Sequence, residues 1–352
     1  MSNKTNPGNF FEDFQLGQKI NHATPRTISH GDTALYTALY GTRFAVQSSS
    51  AFARAIGFPD APVDDMLVFN VVFGKTVPDV SQNAIANLGY AQGRFGLPVY
   101  PGDTLHTVSE VIGLKANSNG KTGNVYVRSI GFNQNDQMVL EYVRWAMVRK
   151  RNPGSTEATP VIPDLPLAVT TENLVVPSGL DLTGYAPQLA GSFYFWEDYE
   201  AGEKIDHVDA MTIEDSDHMT ATRLYQNTAK VHFNQHTEKD SRFGRRIVYG
   251  GHIISLARCL SFNGLGNAFK VAAINGGRHV APSFAGNTIY AWSEILEKSP
   301  LPENRELGVL RLRTIATKDR CCSDFPYKDN KGHYQPAVVL DFDYTILIPR
   351  KP

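Results

Sequence analysis

The residues best suited to proton chemistry gather in one stretch, LYQNTAKVHFNQHTEKDSRFGRRIVYGGHIISLA, running from 224 to 257. His232 has an ordinary pKa of roughly 6.5, so it can accept a proton and return it within one catalytic cycle. Gly250 and Gly251 open HIISLARCLSF (252–262), which is apolar nearly all round and reads as a buried helix. A backbone N–H at that helix start, most of all that of Gly251, is reinforced by the positive end of the helix dipole and suits an oxygen that gains negative charge. Asn227 cannot act as a base. Its amide oxygen can orient a water, or its nitrogen can steady a hydroxyl. Tyr249 and His252 flank the glycines as candidate substrate contacts, although an aromatic beside a buried helix is usually packing. Arg242, Arg245 and Arg246, with Lys239, form a basic cluster just before the helix, either solvated or set to meet phosphates. Asp215, Asp217 and His218 read as helix decoration, with His218 able to face the cavity, and His236 reads equally as a site residue or a solvated one.

A chain that presents these groups needs elements to hold them, and comparing the sequence with itself supplies them. FFEDFQLGQKI at 10–20 recurs as FYFWEDYEAGEKI at 193–205, placing Gly17 on Gly202, a shift of 185. GRFGLPVYPGDTLH matches GGRHVAPSFAGNTIY, placing Arg94 on Arg278 and Gly102 on Gly286. LEYVRWAMVRK resembles LDFDYTILIPRK, with an insertion at about 318–335 in the second copy. The expected division is a first repeat over 1–151, a Pro-, Gly- and Thr-rich linker over 152–190, and a second repeat over 191–352. Each copy holds a polar-capped helix, a buried helix and several segments of alternating polarity, such as AWSEILEK and VLRLRTIAT, which read as antiparallel strands with one covered face. The predicted class is α+β, a sheet wrapped around a central buried helix in each repeat.

The repeat is also an internal control. Gln47 stands where His232 stands, and Asp65-Met66 where Gly250-Gly251 stand. Glutamine is no base, and a carboxylate at the helix start opposes a developing anion. The first copy is therefore expected to be catalytically degenerate, completing the fold and shaping the cavity.

Composition removes other classes. With 34 basic and 35 acidic side chains among 352 residues, the formal charge of -1 gives no general grip on nucleic acid or on a membrane. No apolar run reaches a membrane span, and the first residues lack a basic and apolar leader, so a cytoplasmic protein is expected. Three cysteines, two of them adjacent (Cys321, Cys322), support neither a disulfide framework nor a four-ligand zinc site.

The order of these features, a helix, then a loop from Asn227 to His232, then Gly250-Gly251 and a buried helix, resembles the MaoC-like, (R)-specific hydratase group of hot-dog proteins. That resemblance puts the group's motif histidine on His232 and its motif aspartate on Asn227, a departure. Over its whole length, duplication and Asn variant included, the chain is similar to the mesaconyl-CoA hydratase (β-methylmalyl-CoA dehydratase) family. The resemblance implies a double hot-dog fold that mimics the dimer of single-repeat relatives. It implies a hydro-lyase that reversibly hydrates a short, branched, dicarboxylic enoyl-CoA, with coenzyme A present only as part of the substrate and no metal or other cofactor. The catalytic residues would be His232, Asn227 and Gly251. Substrate contacts would come from Gly250, Tyr249 and His252, with Arg223 and Arg245 as candidates for a substrate carboxylate, and Arg242 and Arg246 would meet the CoA phosphates. Thioester hydrolysis and plain acyl-CoA binding are the alternatives, and a homo-oligomer of whole chains is left open.

Overall fold

The computed structural model describes residues 4–154, 159–302 and 304–352. Among the described residues ten strands form one antiparallel sheet. The first half of the chain supplies β1 (Lys19–Thr27), β2 (Ala84–Phe95), β3 (Thr104–Ala116), β4 (Thr122–Phe132) and β5 (Met138–Arg149). The second supplies β6 (Lys204–Thr212), β7 (Lys270–His279), β8 (Thr288–Leu301), β9 (Asn304–Lys318) and β10 (Val338–Pro349). Their order across the sheet, β1-β3-β4-β5-β2-β7-β10-β9-β8-β6, reads as the same five-strand pattern from either edge. The two patterns meet where β2 pairs with β7, Tyr90 opposite Gly277 and Arg94 opposite Ala273.

Of four principal helices, α1 (His30–Tyr40), α2 (Asp65–Thr76), α3 (Asp215–Leu224) and α4 (Gly250–Leu260), the sheet covers α2 and α4, while α1 and α3 pack on each other and on α4. Burial explains their composition: α2 and α4 are covered over nearly their full length, so they carry apolar residues all round. They touch at related positions. Asn70 Nδ2 on α2 donates to Ser255 Oγ on α4 at 3.2 Å, and the hydroxyls of Tyr40 and Tyr225 meet at 2.5 Å, each pair 185 residues apart. Residues that the repeat superposes in sequence thus meet on the axis relating the two halves.

Turns repeat as well. The Gly102 N–H donates to Ile28 O at 2.7 Å and the Gly286 N–H to Ile213 O at 2.8 Å, both glycines having left-handed φ (107° and 92°) that a β-carbon would strain. The insertion between β9 and β10 packs on side chains of β8, β9 and β10, where Trp292 Nε1 donates to Pro326 O at 3.0 Å. The segment between the halves is less of a free tether than its composition suggests. Val161 bridges to Leu114, and Leu174, Val176, Leu180, Leu182 and Tyr185 pack on a cluster around Val46 and Phe52; residues 155–158 lie outside the described residues. Among the described residues no helix is long and apolar enough to cross a membrane.

Candidate active site

The two buried helices begin differently. In α2, Asp64 Oδ1 accepts the Met66 N–H at 2.8 Å, and Asp65 takes Lys270 Nζ at 2.9 Å and the Val271 N–H at 2.8 Å. Gln47 Nε2 donates to Phe269 O at 2.7 Å. The first-copy site is filled, with a residual cavity of about 10 Å³ lined by Gln47, Asp65 and Lys270, at the lower limit for one water. In α4 no side chain among the described residues caps the N-terminus, and no acid stands in the first turn. The N–H groups of Gly250 and Gly251, which no intrahelical carbonyl can reach, therefore stay available.

His232 lies in a one-turn helix, Lys230–Phe233, folded against the chain leading into α4. Its Nδ1–H donates to Ile247 O at 3.0 Å, which fixes the tautomer and leaves the Nε2 lone pair free. Burial lowers its pKa to about 4, the Ile247 carbonyl opposing and the nearby His218 adding to the effect. The ring is neutral at pH 7, as a proton acceptor must be. The Tyr249 ring packs on it edge-on, centroids 5.4 Å apart, and on Phe73 at 5.7 Å. The Tyr249 hydroxyl is buried and has no partner among the described residues.

Each glycine sits where a side chain would collide. A β-carbon on Gly250 would lie 2.4 Å from the His279 ring, and one on Gly251 would lie 1.9 Å from Asn70 Oδ1 and 2.3 Å from the Tyr249 ring. Close packing of Asn70, Tyr249 and His279 therefore requires the pair, independently of any ligand. His279, at the end of β7, is a site residue that motif reasoning missed. Its Nε2 lies 3.1 Å from the Tyr90 hydroxyl, and burial followed by the charge of His232 lowers its pKa to about 4. The repeat held the signal, since the shift that sets Arg94 on Arg278 sets Phe95 on His279.

Asn227 is buried. Its Oδ1 accepts the Ala229 N–H at 3.0 Å, which leaves Nδ2 as the group able to face a ligand. His218 is buried too, with Nε2 3.2 Å from Asp215 Oδ1 and Nδ1 unpartnered.

Other candidates are placed elsewhere. His252 is buried with Nδ1 2.8 Å from the Tyr40 hydroxyl, so it joins the Tyr40–Tyr225 contact between the halves. Arg246 Nη2 donates to both oxygens of Asp215 at 2.7 and 2.6 Å, an ion pair that ties the loop to α3 and takes up one end of the guanidinium expected to meet CoA. Arg223 is exposed in the last turn of α3, its Nε donating to Met219 O at 3.3 Å, one turn back in the same helix. Arg245 is exposed with its guanidinium 4.0 Å from the Phe284 ring, and Arg242 lies 5.3 Å from that of Phe243, itself packed on Phe284. Cys259 is buried, and burial pushes its thiol far above the usual range, consistent with a structural residue.

A sequence profile for mesaconyl-CoA hydratase matches residues 2–322. The chain is 66% identical over 351 residues to the β-methylmalyl-CoA dehydratase of Chloroflexus aurantiacus, covering all of both chains. The chain belongs to the mesaconyl-CoA hydratase family. Another relative is the mesaconyl-CoA hydratase of Cereibacter sphaeroides, 55% identical over 99% of this chain and 100% of that one. A solved structure described as a putative MaoC domain protein dehydratase, also from Chloroflexus aurantiacus, superposes with a TM-score of 0.98 at 66% identity over the whole of both chains. A Mycobacterium tuberculosis protein with a double hot-dog fold superposes at 0.75 with 25% identity, over 97% of this chain and 98% of that one. The α+β, double hot-dog architecture is thus shared by family members and more distant relatives.

Proposed function

We propose that the chain reversibly hydrates mesaconyl-CoA to β-methylmalyl-CoA, and that it does so at one site, around His232. The observation that carries the reading is the pairing of a neutral His232, its Nε2 free, with an uncapped α4 start in a chain of this family. In the hydration direction the oxygen of water bonds to the β-carbon of the enoyl thioester, and His232 Nε2 takes the water proton. The electron pair of the double bond moves toward the thioester oxygen, where the N–H groups of Gly250 and Gly251 and the helix dipole oppose the charge. His232 then gives its proton to the α-carbon, which restores the carbonyl and returns the ring to its neutral form. Asn227 Nδ2 donates to the attacking water or product hydroxyl, so His232 is the sole base. Coenzyme A takes part only as a portion of the substrate, and the exposed Arg242 and Arg245, with Phe243 and Phe284, offer cations and ring faces to its phosphates and adenine.

The test is to incubate the protein with mesaconyl-CoA and follow enoyl-thioester absorbance together with free thiol. Reversible loss of absorbance without thiol is the expected result. Thiol release would mean thioester hydrolysis instead, and no change in either would remove the assignment.

A further inference from the structure

A substrate that carries a free carboxylate beside its β-carbon needs a buried cation near the site, and the arginines of the active loop do not supply one. The charge of Arg246 is already paired with Asp215 through Nη2, and Arg223 and Arg245 lie exposed. A different arginine fits. Arg144, in β5, is fully buried and has no carboxylate within ion-pair distance among the described residues. Its Nη2 donates to Thr76 Oγ1 at 2.8 Å and to Ser81 Oγ at 3.3 Å, whereas Nε and Nη1 have no partner. A guanidinium carries five donors, and burying it unpaired is costly, so a protein that keeps one has a use for it.

Its position links it to the site. Arg144 stands directly across from Tyr90 on β2, and Tyr90 stands across from Gly277 on β7, with its hydroxyl on His279. The guanidinium lies 4.3 Å from the Phe73 ring, which packs in turn on Tyr249, the residue between His232 and the glycines. The hydroxyls close enough to feel its charge are those of Tyr90, Tyr142 and Tyr249, and that of Tyr249 is unpartnered. The Asn87 carboxamide, opposite Ala146 on the same face of the sheet as Arg144, has neither end paired. The repeat gives the contrast again. In β10 the matching residue is Tyr344, whose hydroxyl accepts from Thr314 Oγ1 at 3.1 Å. Of the two matching positions, only the one on β5, opposite Tyr90 and packed against α2, carries an arginine.

We infer that Arg144 binds the free carboxylate of the acyl group, with Nε and Nη1 as a two-pronged donor and the Tyr249 hydroxyl alongside. The inference rests on the hydratase reading above and gives the first repeat a specificity role. A bidentate arginine in a dry pocket discriminates strongly against a substrate without the anion, because that substrate leaves the cation buried and unpaired.

The experiment uses the full chain, Arg144→Met and Arg144→Lys. Two ratios are measured: kcat/KM for mesaconyl-CoA over crotonyl-CoA, and, by calorimetry, the affinity for succinyl-CoA over butyryl-CoA. Both ratios are expected to fall by roughly 100-fold in Arg144→Met, with partial retention in Arg144→Lys, which keeps the charge without the fork. The ligand-free Arg144→Met protein is expected to melt no lower than the natural one, since it loses an uncompensated charge. Unchanged ratios, or loss of both members of each pair by the same factor, would overturn the assignment. If the natural chain fails to hydrate mesaconyl-CoA yet prefers succinyl-CoA through Arg144, the hydratase reading falls and the carboxylate site stands. If it hydrates mesaconyl-CoA and Arg144→Met keeps its discrimination, the reverse holds.

Discussion

The Nδ1–H of His232 points at the carbonyl oxygen of Ile247, 3.0 Å away, and that contact decides which end of the ring is free to work. Ile247 lies in the chain that leads into α4, so the base and the N–H groups of Gly250 and Gly251 are set by one short segment. Burial, which outweighs the opposing Ile247 carbonyl, keeps this base neutral at physiological pH.

The identity of residue 227 then sets the pH response. In Asn227→Asp a carboxylate stands upstream of His232 and favours the protonated ring, so the His232 pKa rises from about 4. The acid limb of the kcat/KM profile is expected to move to higher pH than in the natural protein. Rates measured between pH 4 and 7 check this, and an unmoved limb would mean that residue 227 does not sense the base.

The glycines at the start of α4 are fixed by packing. Gly250→Ala drives a methyl into the His279 ring and Gly251→Ala drives one into Asn70 and Tyr249. Each substitution is expected to cost about 1–3 kcal/mol of stability, as overpacking of a tight core does. Urea denaturation measures the loss, and midpoints equal to that of the natural chain would show that the contacts relax freely.

If the first copy is catalytically degenerate, substitutions at its Gln47 and Asp65 act on stability and spare turnover. Asp65→Ala leaves Lys270 buried without its carboxylate and is expected to cost about 3 kcal/mol or more. Gln47→Ala removes one hydrogen bond to Phe269 O, worth about 1 kcal/mol, and should leave turnover within two-fold. Denaturation midpoints beside initial rates separate the effects, and a large fall in rate for Gln47→Ala would mean that the first copy takes part in catalysis.

Acid stability follows from histidines buried in their neutral form. Burial lowers His207 to about 4 and His252 to about 3, below the unfolded value of roughly 6.5. Between these values the unfolded chain binds more protons, so the native state is favoured fully above about pH 6.5 and loses that advantage as pH falls toward 4. Each such group contributes a slope of about 1.4 kcal/mol per pH unit within the window. Melting temperatures measured from pH 7 to pH 4 should fall, and less steeply in His252→Gln.

Much of this was legible in the sequence because duplication leaves two readings of every element. The starts of α2 and α4 fall at Asp65 and Gly250, the positions the repeat aligns, and Gly102 and Gly286 occupy equivalent turns. The loop and helix holding His232 and the glycines are continuous in sequence, so local pattern exposes them. Contacts between distant strands left no such trace. Arg144 meets Tyr90 through strand pairing, and Tyr90 reaches His279 because β7 lies beside β2. Arg246 looked free because its partner, Asp215, is brought to it by the folding of α3 against the loop. His252 follows two glycines, yet helical geometry turns it toward Tyr40.

The most direct test of the central claim is the steady-state rate of mesaconyl-CoA hydration by His232→Gln beside the natural chain. A glutamine can occupy the site without accepting a proton, so kcat is expected to fall by about 100- to 10,000-fold while the protein stays folded. A His232→Gln enzyme that turns over at a near-normal rate would contradict the assignment of His232 as the sole base.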